Sequence, residues 1–373
     1  MAQEIFPAKR LGFGFMRLPF AGGQPDDGLL TEMADLFLEH GFTYFDTAYT
    51  YYEGESERCL GRVAVKRHPR DSFTIADKLP SYRLAAAGDP ARFEREQLGR
   101  LGVDYFDYYL LHSLNDKNIA LCRQFGAISH VFDMKRRGTA RHIGFSFHGT
   151  PELLDAFLAE FPEFEFVQLQ INYADWDDER VRARECWEAA RRHGKPVAVM
   201  EPVKGGALSA FAPSVGALLE TAAPGASPAS WGMRFAGSLD GVGVVLSGMN
   251  TLGQLRDNIA TFEHFEPLTE SERGVLDTVV AALRAIPTVP CTGCGYCRSG
   301  CPVQMDIPGI LALLNNYTVY GHLESAKRMY DLFAAKQTKA ADCLGCGACE
   351  GVCPQGIPII ESLKKASAIF DRS

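Results

Sequence analysis

The sequence predicts a (β/α)8 barrel followed by a small, cysteine-rich helical domain. Three observations carry that reading. From Leu11 to about Phe265, short apolar, β-branched or aromatic runs alternate with longer stretches of helical periodicity. Eight such alternations fill roughly 255 residues, close to the typical barrel length of about 250. Eight of the eleven cysteines then crowd into residues 291–353, in two copies of one pattern.

The expected strands are Gly12–Met16, Thr43–Asp46, Phe73–Asp77, Tyr105–Leu111, His142–Phe147, Phe166–Ile171, Val197–Met200 and Val242–Leu246. Helical spacing is read over Leu30–His40, Ser56–Val65, Ala91–Leu101, Ile119–Arg137, Glu152–Phe161, Glu179–His193 and Leu252–Phe262, and more weakly over 226–237. An open, doubly wound sheet is the competing architecture. A dinucleotide-binding sheet of that kind would open its first helix with Gly-x-Gly-x-x-Gly, and no such turn follows the first strand. After Phe265 a polar start leads into a helix ending near Ile286, stopped by Pro287 and Pro290. The expected division is therefore a barrel over 1–265, a helical linker over 266–290 and a cluster-binding domain over 291–373.

Composition sets the limits. The chain has 373 residues, 46% hydrophobic and 23% charged, enough for a large core and a small second domain. Its 38 basic and 46 acidic residues give a net charge of −8, without a basic run, so neither nucleic acid nor a membrane surface is an expected partner. The N-terminal MAQEIFPAKR lacks the apolar core of a signal peptide, and no apolar stretch approaches the ~18 residues of a membrane span. A cytoplasmic location is the expectation. Clustered cysteines at fixed spacing in such a chain point to metal rather than disulfides.

The two cysteine motifs are Cys291-x2-Cys294-x2-Cys297-x3-Cys301-Pro302 and Cys343-x2-Cys346-x2-Cys349-x3-Cys353-Pro354, each cysteine recurring 52 residues later. Three thiolates on a tight loop can each hold one iron of a cubane. In two-cluster ferredoxins the fourth cysteine, next to proline, ligates the other cluster. That rule gives Cys291, Cys294, Cys297 and Cys353 to one [4Fe-4S] cluster and Cys343, Cys346, Cys349 and Cys301 to a second. Zinc is the alternative for Cys-x2-Cys pairs, but it has no use for the full run. Glycines at 293, 295, 345 and 347 let the loops curl. About forty residues separate the motifs and carry helical spacing at Ile310, Leu311, Leu314 and Tyr317, then Ala326, Met329, Tyr330 and Phe333. This arrangement resembles the α-helical ferredoxin of many respiratory and dehydrogenase subunits. Cys59, Cys122 and Cys186 are scattered and read as buried apolar residues.

In the barrel, Asp46 ends the second strand with Tyr51 five residues on, Lys78 ends the third and His112 the fourth. Strand C-termini converge on one face of a barrel, so these side chains can meet there. The segments LGFGFMRLP at 11–19, FDTAYTYYEGESE at 45–57, ADK at 76–78, RLGVDYFDYYLLH at 100–112 and GFS at 144–146 resemble the aldo-keto reductase family over residues 11–262. The resemblance implies a catalytic tetrad of Asp46, Tyr51, Lys78 and His112. Tyr49 and Tyr52 share the loop, and spacing favours Tyr51 as proton donor. Lys78 is expected to lower the phenol's pKa, Asp46 to balance Lys78, and His112 to orient a carbonyl oxygen. Tyr52 stands where the family usually has glycine.

The same resemblance implies a nicotinamide cofactor, NADP or NAD, lying along Ser146, Gln168, Met200, Ser247, Gln254 and Asn258, with Ser146 and Gln168 on the carboxamide. Met200 replaces the aromatic ring that commonly stacks on the nicotinamide. Gly248 or Met249 and Gln254 stand where many relatives carry basic residues for the 2′-phosphate. Lys204-Gly205-Gly206 offers a charge and a flexible backbone to a pyrophosphate.

Three functions follow for the two halves together. One is a nicotinamide-dependent oxidoreductase acting on a small carbonyl or alcohol. The second is an electron relay through the clusters to a redox protein partner. The third is a structural staple, with the clusters fixing the C-terminal domain. Clusters move single electrons and nicotinamide moves a hydride, so direct exchange needs a converter such as flavin, for which the chain shows no signature.

Overall fold

The computed structural model describes residues 5–334 and 338–371. They form two compact units. One takes the described residues up to Gly206 with Ala229–Arg273; the other takes Ala207–Pro228 with the described residues from Gly274 onward.

The first unit is a closed barrel of eight parallel strands. Strand β1 (Leu11–Gly14) is followed by a hairpin outside the barrel, β2 (Phe20–Ala21) and β3 (Gln24–Pro25). The other barrel strands are β4 (Tyr44–Asp46), β5 (Thr74–Leu79), β6 (Phe106–Leu114), β7 (Ala140–Phe147), β8 (Phe166–Gln170), β9 (Val197–Met200) and β10 (Val242–Ser247). All eight expected strands are present, with ends shifted by a few residues. Closure comes from β1, which pairs with β10 (Phe13 opposite Ser247) and with β4 (Gly14 opposite Asp46). Strands covered on both faces read as unbroken apolar runs, and all six residues of β10 are buried.

The helices start where capping chemistry allows. Asp26 caps α1 (Asp27–Glu39) by accepting from the Leu29 amide at 3.0 Å. The remaining helices of this stretch are α2 (Glu55–Leu60), which runs on as a π-turn over Gly61–Val65, α3 (Asp89–Leu101), α4 (Asp116–Gln124), α5 (Ala127–Arg137), α6 (Pro151–Glu160) and α7 (Ala183–Arg192). The single helix expected over Ile119–Arg137 is two, because Gly126 turns left-handed at φ 73° and separates α4 from α5. After β9 come α8 (Pro213–Ala222), in the second unit, then α9 (Pro228–Gly237), α10 (Leu252–Glu263) and α11 (Glu270–Arg284).

The lower end of the barrel is closed by Phe6, which packs with Tyr44, Tyr108 and Phe166 inside the strand ring. A Cβ at Gly243 would stand 2.1 Å from the Phe6 ring. Gly243→Ala should therefore cost about 1–3 kcal/mol, the usual range for overpacking. Thermal denaturation of the variant, with Phe6→Ala as the compensating partner, checks this.

The second unit has its own core. Helices α13 (Ile307–Tyr320), α14 (Leu323–Ala334) and α16 (Ile359–Phe370) bury Ile310, Leu311, Leu314, Tyr330, Leu363 and Phe370 together. Tyr330 stacks on Phe370 at 4.9 Å and its hydroxyl accepts from the Ala340 amide at 2.7 Å. Two one-turn helices, α12 (Tyr296–Ser299) and α15 (Ala348–Gly351), occupy the same place in the two motif copies. No helix among the described residues is long and apolar enough to cross a membrane.

Candidate active site and cysteine cavities

The barrel topology brings the expected side chains to one end. Asp46, Lys78, His112, Ser146, Gln168, Met200 and Ser247 lie at or near the C-terminal ends of β4 to β10 in succession. Strained backbone gathers in the loops there. Of the seven described non-glycine residues with left-handed φ, Tyr52, Glu53, Glu201 and Lys204 follow β4 and β9, and Ser113 is the next-to-last residue of β6. Such residues cost about 1–3 kcal/mol each and persist where the surroundings impose them.

Lys78 is 1% exposed and Asp46 4%. Lys78 Nζ donates to Asp46 Oδ1 at 2.6 Å and to the Thr47 carbonyl at 2.7 Å. Burial works against the ammonium, but the Asp46 carboxylate in contact with it outweighs burial and holds the Lys78 pKa above its ordinary value. Tyr51 lies beside this cation, its ring centre 5.1 Å from Lys78 Nζ and 5.9 Å from the His112 ring. The neighbouring tyrosines turn elsewhere. Tyr49 donates to Glu96 at 2.6 Å, and Tyr52 packs on Phe20 at 5.1 Å.

Lys78 pulls the Tyr51 pKa down as expected, but the net shift is upward. Burial raises the phenol to about 12, and the opposing pull of Lys78 recovers only part of the shift. Sequence reasoning weighed the charge and not the desolvation. His112 goes the other way. Burial first, then Lys78 and His148, push its pKa well below the ordinary value, so it is a neutral imidazole at pH 7. Its Nδ1 is buried without a partner.

Ser146 and Gln168 face each other in register on β7 and β8. The Ser146 hydroxyl accepts from the Ser113 amide at 2.7 Å, and the Gln168 amide reaches Asp46 at 3.4 Å. Met200 is half-buried and packs against the barrel's interior cluster. Asn258 donates to Ser247 at 2.7 Å, both nearly inaccessible. Gln254 accepts from the Asn250 amide at 2.8 Å and so braces the start of α10. Lys204 is ion-paired with the buried Asp175. Arg17, which sequence reasoning passed over, occupies the space that side chains at Gly205 and Gly248 would need and lies 3.9 Å from Glu201. Nothing in its local pattern marks it; only the loops after β9 and β10, distant in sequence, bring it there.

In the second unit, two cavities are each lined by four cysteines. One has Cys291, Cys294, Cys297 and Cys353. The other has Cys301, Cys343, Cys346 and Cys349. The fourth cysteine of each motif thus lies in the other motif's cavity. Otherwise the linings are mostly apolar, with Ile307, Leu311, Ile357 and Ile359 in the first and Met305, Ile307, Ile360 and Leu363 in the second. Gly293, Gly295, Gly345 and Gly347 all adopt positive φ, between 65° and 80°, which curls both loops around their cavities. A compact group offering four thiols and an apolar bed fits a thiolate-held iron–sulfur cluster. Cys59, Cys122 and Cys186 are buried elsewhere.

Comparisons with known proteins agree with both halves. The sequence pattern of the aldo/keto reductase family matches residues 10–281, and that of a 4Fe-4S dicluster domain matches residues 290–357. An aldo-keto reductase of Mycolicibacterium smegmatis is 31% identical over 140 residues, 36% of this chain and 47% of that protein. The chain thus spans about half the length of the curated relatives it matches. Among solved structures, an aldo-keto reductase from Bacillus halodurans in its holo form superposes with a TM-score of 0.58 at 23% identity, covering 72% of this chain and 91% of that one. An aldo-keto reductase from Klebsiella pneumoniae in complex with NADPH does so with a TM-score of 0.60 at 20% identity, covering 73% and 90%. These likenesses show the fold. With a family match over nearly three-quarters of its length and a closed eight-stranded barrel, the chain belongs to the aldo/keto reductase family and carries a 4Fe-4S dicluster domain C-terminal to the barrel in sequence.

Proposed function

We propose that the barrel reduces a small carbonyl compound to its alcohol, with Tyr51 as proton donor. The observation that carries this reading is the buried Lys78–Asp46 pair set against the Tyr51 ring. The relatives' cofactor supports a nicotinamide dinucleotide, and the donor set fits one. A hydroxyl and an amide, Ser146 and Gln168, stand side by side where a carboxamide needs both a donor and an acceptor. Met200 offers an apolar face, and Ser247, Gln254 and Asn258 line the edge after β10. Both cations on the β9 edge, Lys204 and Arg17, have an acidic neighbour, Asp175 and Glu201. That charge balance speaks for a pyrophosphate contact without a strong demand for a 2′-phosphate.

When bound, the reduced nicotinamide supplies the hydride. The carbonyl oxygen, held by neutral His112, gains negative charge and takes the Tyr51 proton. A phenol near pKa 12 is still a stronger acid than an aliphatic alcohol, so the transfer runs downhill. The resulting phenolate is stabilised by Lys78, whose charge Asp46 balances, and is reprotonated from solvent. Isothermal titration of NADPH and NADH into anaerobically prepared protein tests the cofactor. One molecule per chain is expected; no heat with either dinucleotide removes the reading.

We further propose that the second unit holds two [4Fe-4S] clusters, one on Cys291, Cys294, Cys297 and Cys353, the other on Cys301, Cys343, Cys346 and Cys349. When bound, the clusters supply one-electron carriers. Cys294 and Cys346 are exposed, one in each set, which opens each cavity to a redox protein partner and favours a relay function for this unit. Cys297→Ser should lower iron from roughly eight to roughly four atoms per chain. Iron analysis on anaerobically purified protein checks the count and the division.

A further inference from the structure

Next to the Lys78–Asp46 pair lies a second acidic couple that proton transfer to the substrate does not use. Asp77 precedes Lys78 on β5, and Glu57 lies on α2; both side chains are fully shielded from solvent. Oδ1 of Asp77 accepts from the Lys78 amide at 2.8 Å, and Oε2 of Glu57 accepts from Arg100 at 2.7 Å. The other two oxygens, Asp77 Oδ2 and Glu57 Oε1, are buried without a donor. The two carboxyl groups lie within side-chain hydrogen-bonding reach of each other, and Gln97 is a further such partner of Glu57. Two ionised carboxylates cannot make such a bond, because each only accepts. Contact between them needs one proton.

We propose that Asp77 and Glu57 share a single proton, held on Asp77, and that the neutral Asp77 is a positioning residue that leaves the Lys78 charge to Asp46 and Tyr51. The proposal rests on the tetrad reading above. The surroundings place the proton. Arg100, on α3, faces Glu57 and favours its ionised form. The other groups around the pair are Lys78 on β5, Gln97 and Glu94 on α3, and Tyr109 on β6, whose hydroxyl donates to Gln97 at 2.6 Å. Burial first, then the Glu57 charge, drive the Asp77 pKa well above the carboxylate range, against the pull of Lys78. Ionisation of Asp77 would add a second anion beside an ammonium that already faces Asp46. The Lys78 field on Tyr51 would weaken before Tyr51 itself titrates.

The stability sign follows. A carboxyl whose folded pKa lies above its unfolded value stabilises fully at low pH and loses that contribution as pH rises through the folded value. In Asp77→Asn the amide donates to Glu57 at every pH. Thermal midpoints of cluster-loaded protein, taken between about pH 5 and 9, should therefore fall more steeply for the wild type than for Asp77→Asn. Equal slopes overturn the proposal. Infrared spectra of wild type with 13C-labelled aspartate should show a protonated-carboxyl band at neutral pH that carries the isotope shift. Absence of that band overturns the proposal even if the variant does not fold. In turnover, the alkaline limb should move up by roughly one pH unit or more in Asp77→Asn, a tenfold or greater change in the governing equilibrium. An unmoved limb reduces Asp77 to a structural role and overturns the positioning claim. Midpoints and infrared band need no substrate, so their outcome stands apart from the fate of the tetrad reading.

Discussion

Tyr51→Phe is expected to lower carbonyl reduction by about 10²–10⁴-fold, the usual contribution of a positioned general acid. The substitution removes one hydroxyl and keeps the ring between Lys78 and His112, so nucleotide binding and iron content should stay at wild-type levels. No neighbour can replace the lost proton. His112 is held neutral by burial and by Lys78. Tyr49 is committed to Glu96, and Tyr52 packs on Phe20 in the exposed loop. Single-turnover kinetics on anaerobically prepared protein, with dinucleotide titration and iron analysis on the same sample, give the comparison.

Lys78→Met is expected to have the largest effect on stability as well as to stop turnover. Lys78 and Asp46 are both almost completely shielded, and their contact is 2.6 Å. Removing one partner leaves a buried carboxylate without its cation, at a cost of about 3–5 kcal/mol. Asp46 then takes up a proton to avoid that state. Its folded pKa, already above the ordinary carboxylate value through burial, rises further without Lys78, so its stabilising contribution is complete at low pH and disappears as pH rises. The deficit of Lys78→Met should therefore be small in acid and grow toward neutral pH. The double variant Asp46→Asn/Lys78→Met should recover most of the stability and none of the activity. Chemical denaturation at several pH values separates these outcomes.

Much of the architecture could be read locally. Barrel strands such as β9 (VAVM) and β10 (VGVVLS) are short valine-rich runs, buried except for Met200, and that signature lies within four to six residues. The cysteine motifs are equally local, and the rule that the fourth cysteine serves the other loop matches the two cavity linings. Other features depend on residues far apart in the chain. Phe6 lies ahead of the first strand, and its role as the barrel's plug appears only when Gly243 leaves room for it. Residues 207–228 follow β9, yet they group with the cysteine-rich unit, where the His322 ring meets the Ala210 carbonyl at 3.1 Å. Asp77 and Glu57 each look like an ordinary acid in sequence, and only the fold strips both of water. Tyr51 shows the same limit. Its cationic neighbour could be inferred from the motif, but the depth of its burial, which decides the sign of its pKa shift, could not.

Under the proposed function, carbon receives a hydride in the barrel, independently of one-electron chemistry at the cysteine cavities. Reduction of a panel of simple aldehydes and ketones with dinucleotide carrying deuterium in both nicotinamide C4 positions is the test. The account predicts deuterium on the carbinol carbon of every alcohol formed. Alcohol whose new C–H hydrogen comes from solvent, or label lost while the clusters are reduced, would contradict it.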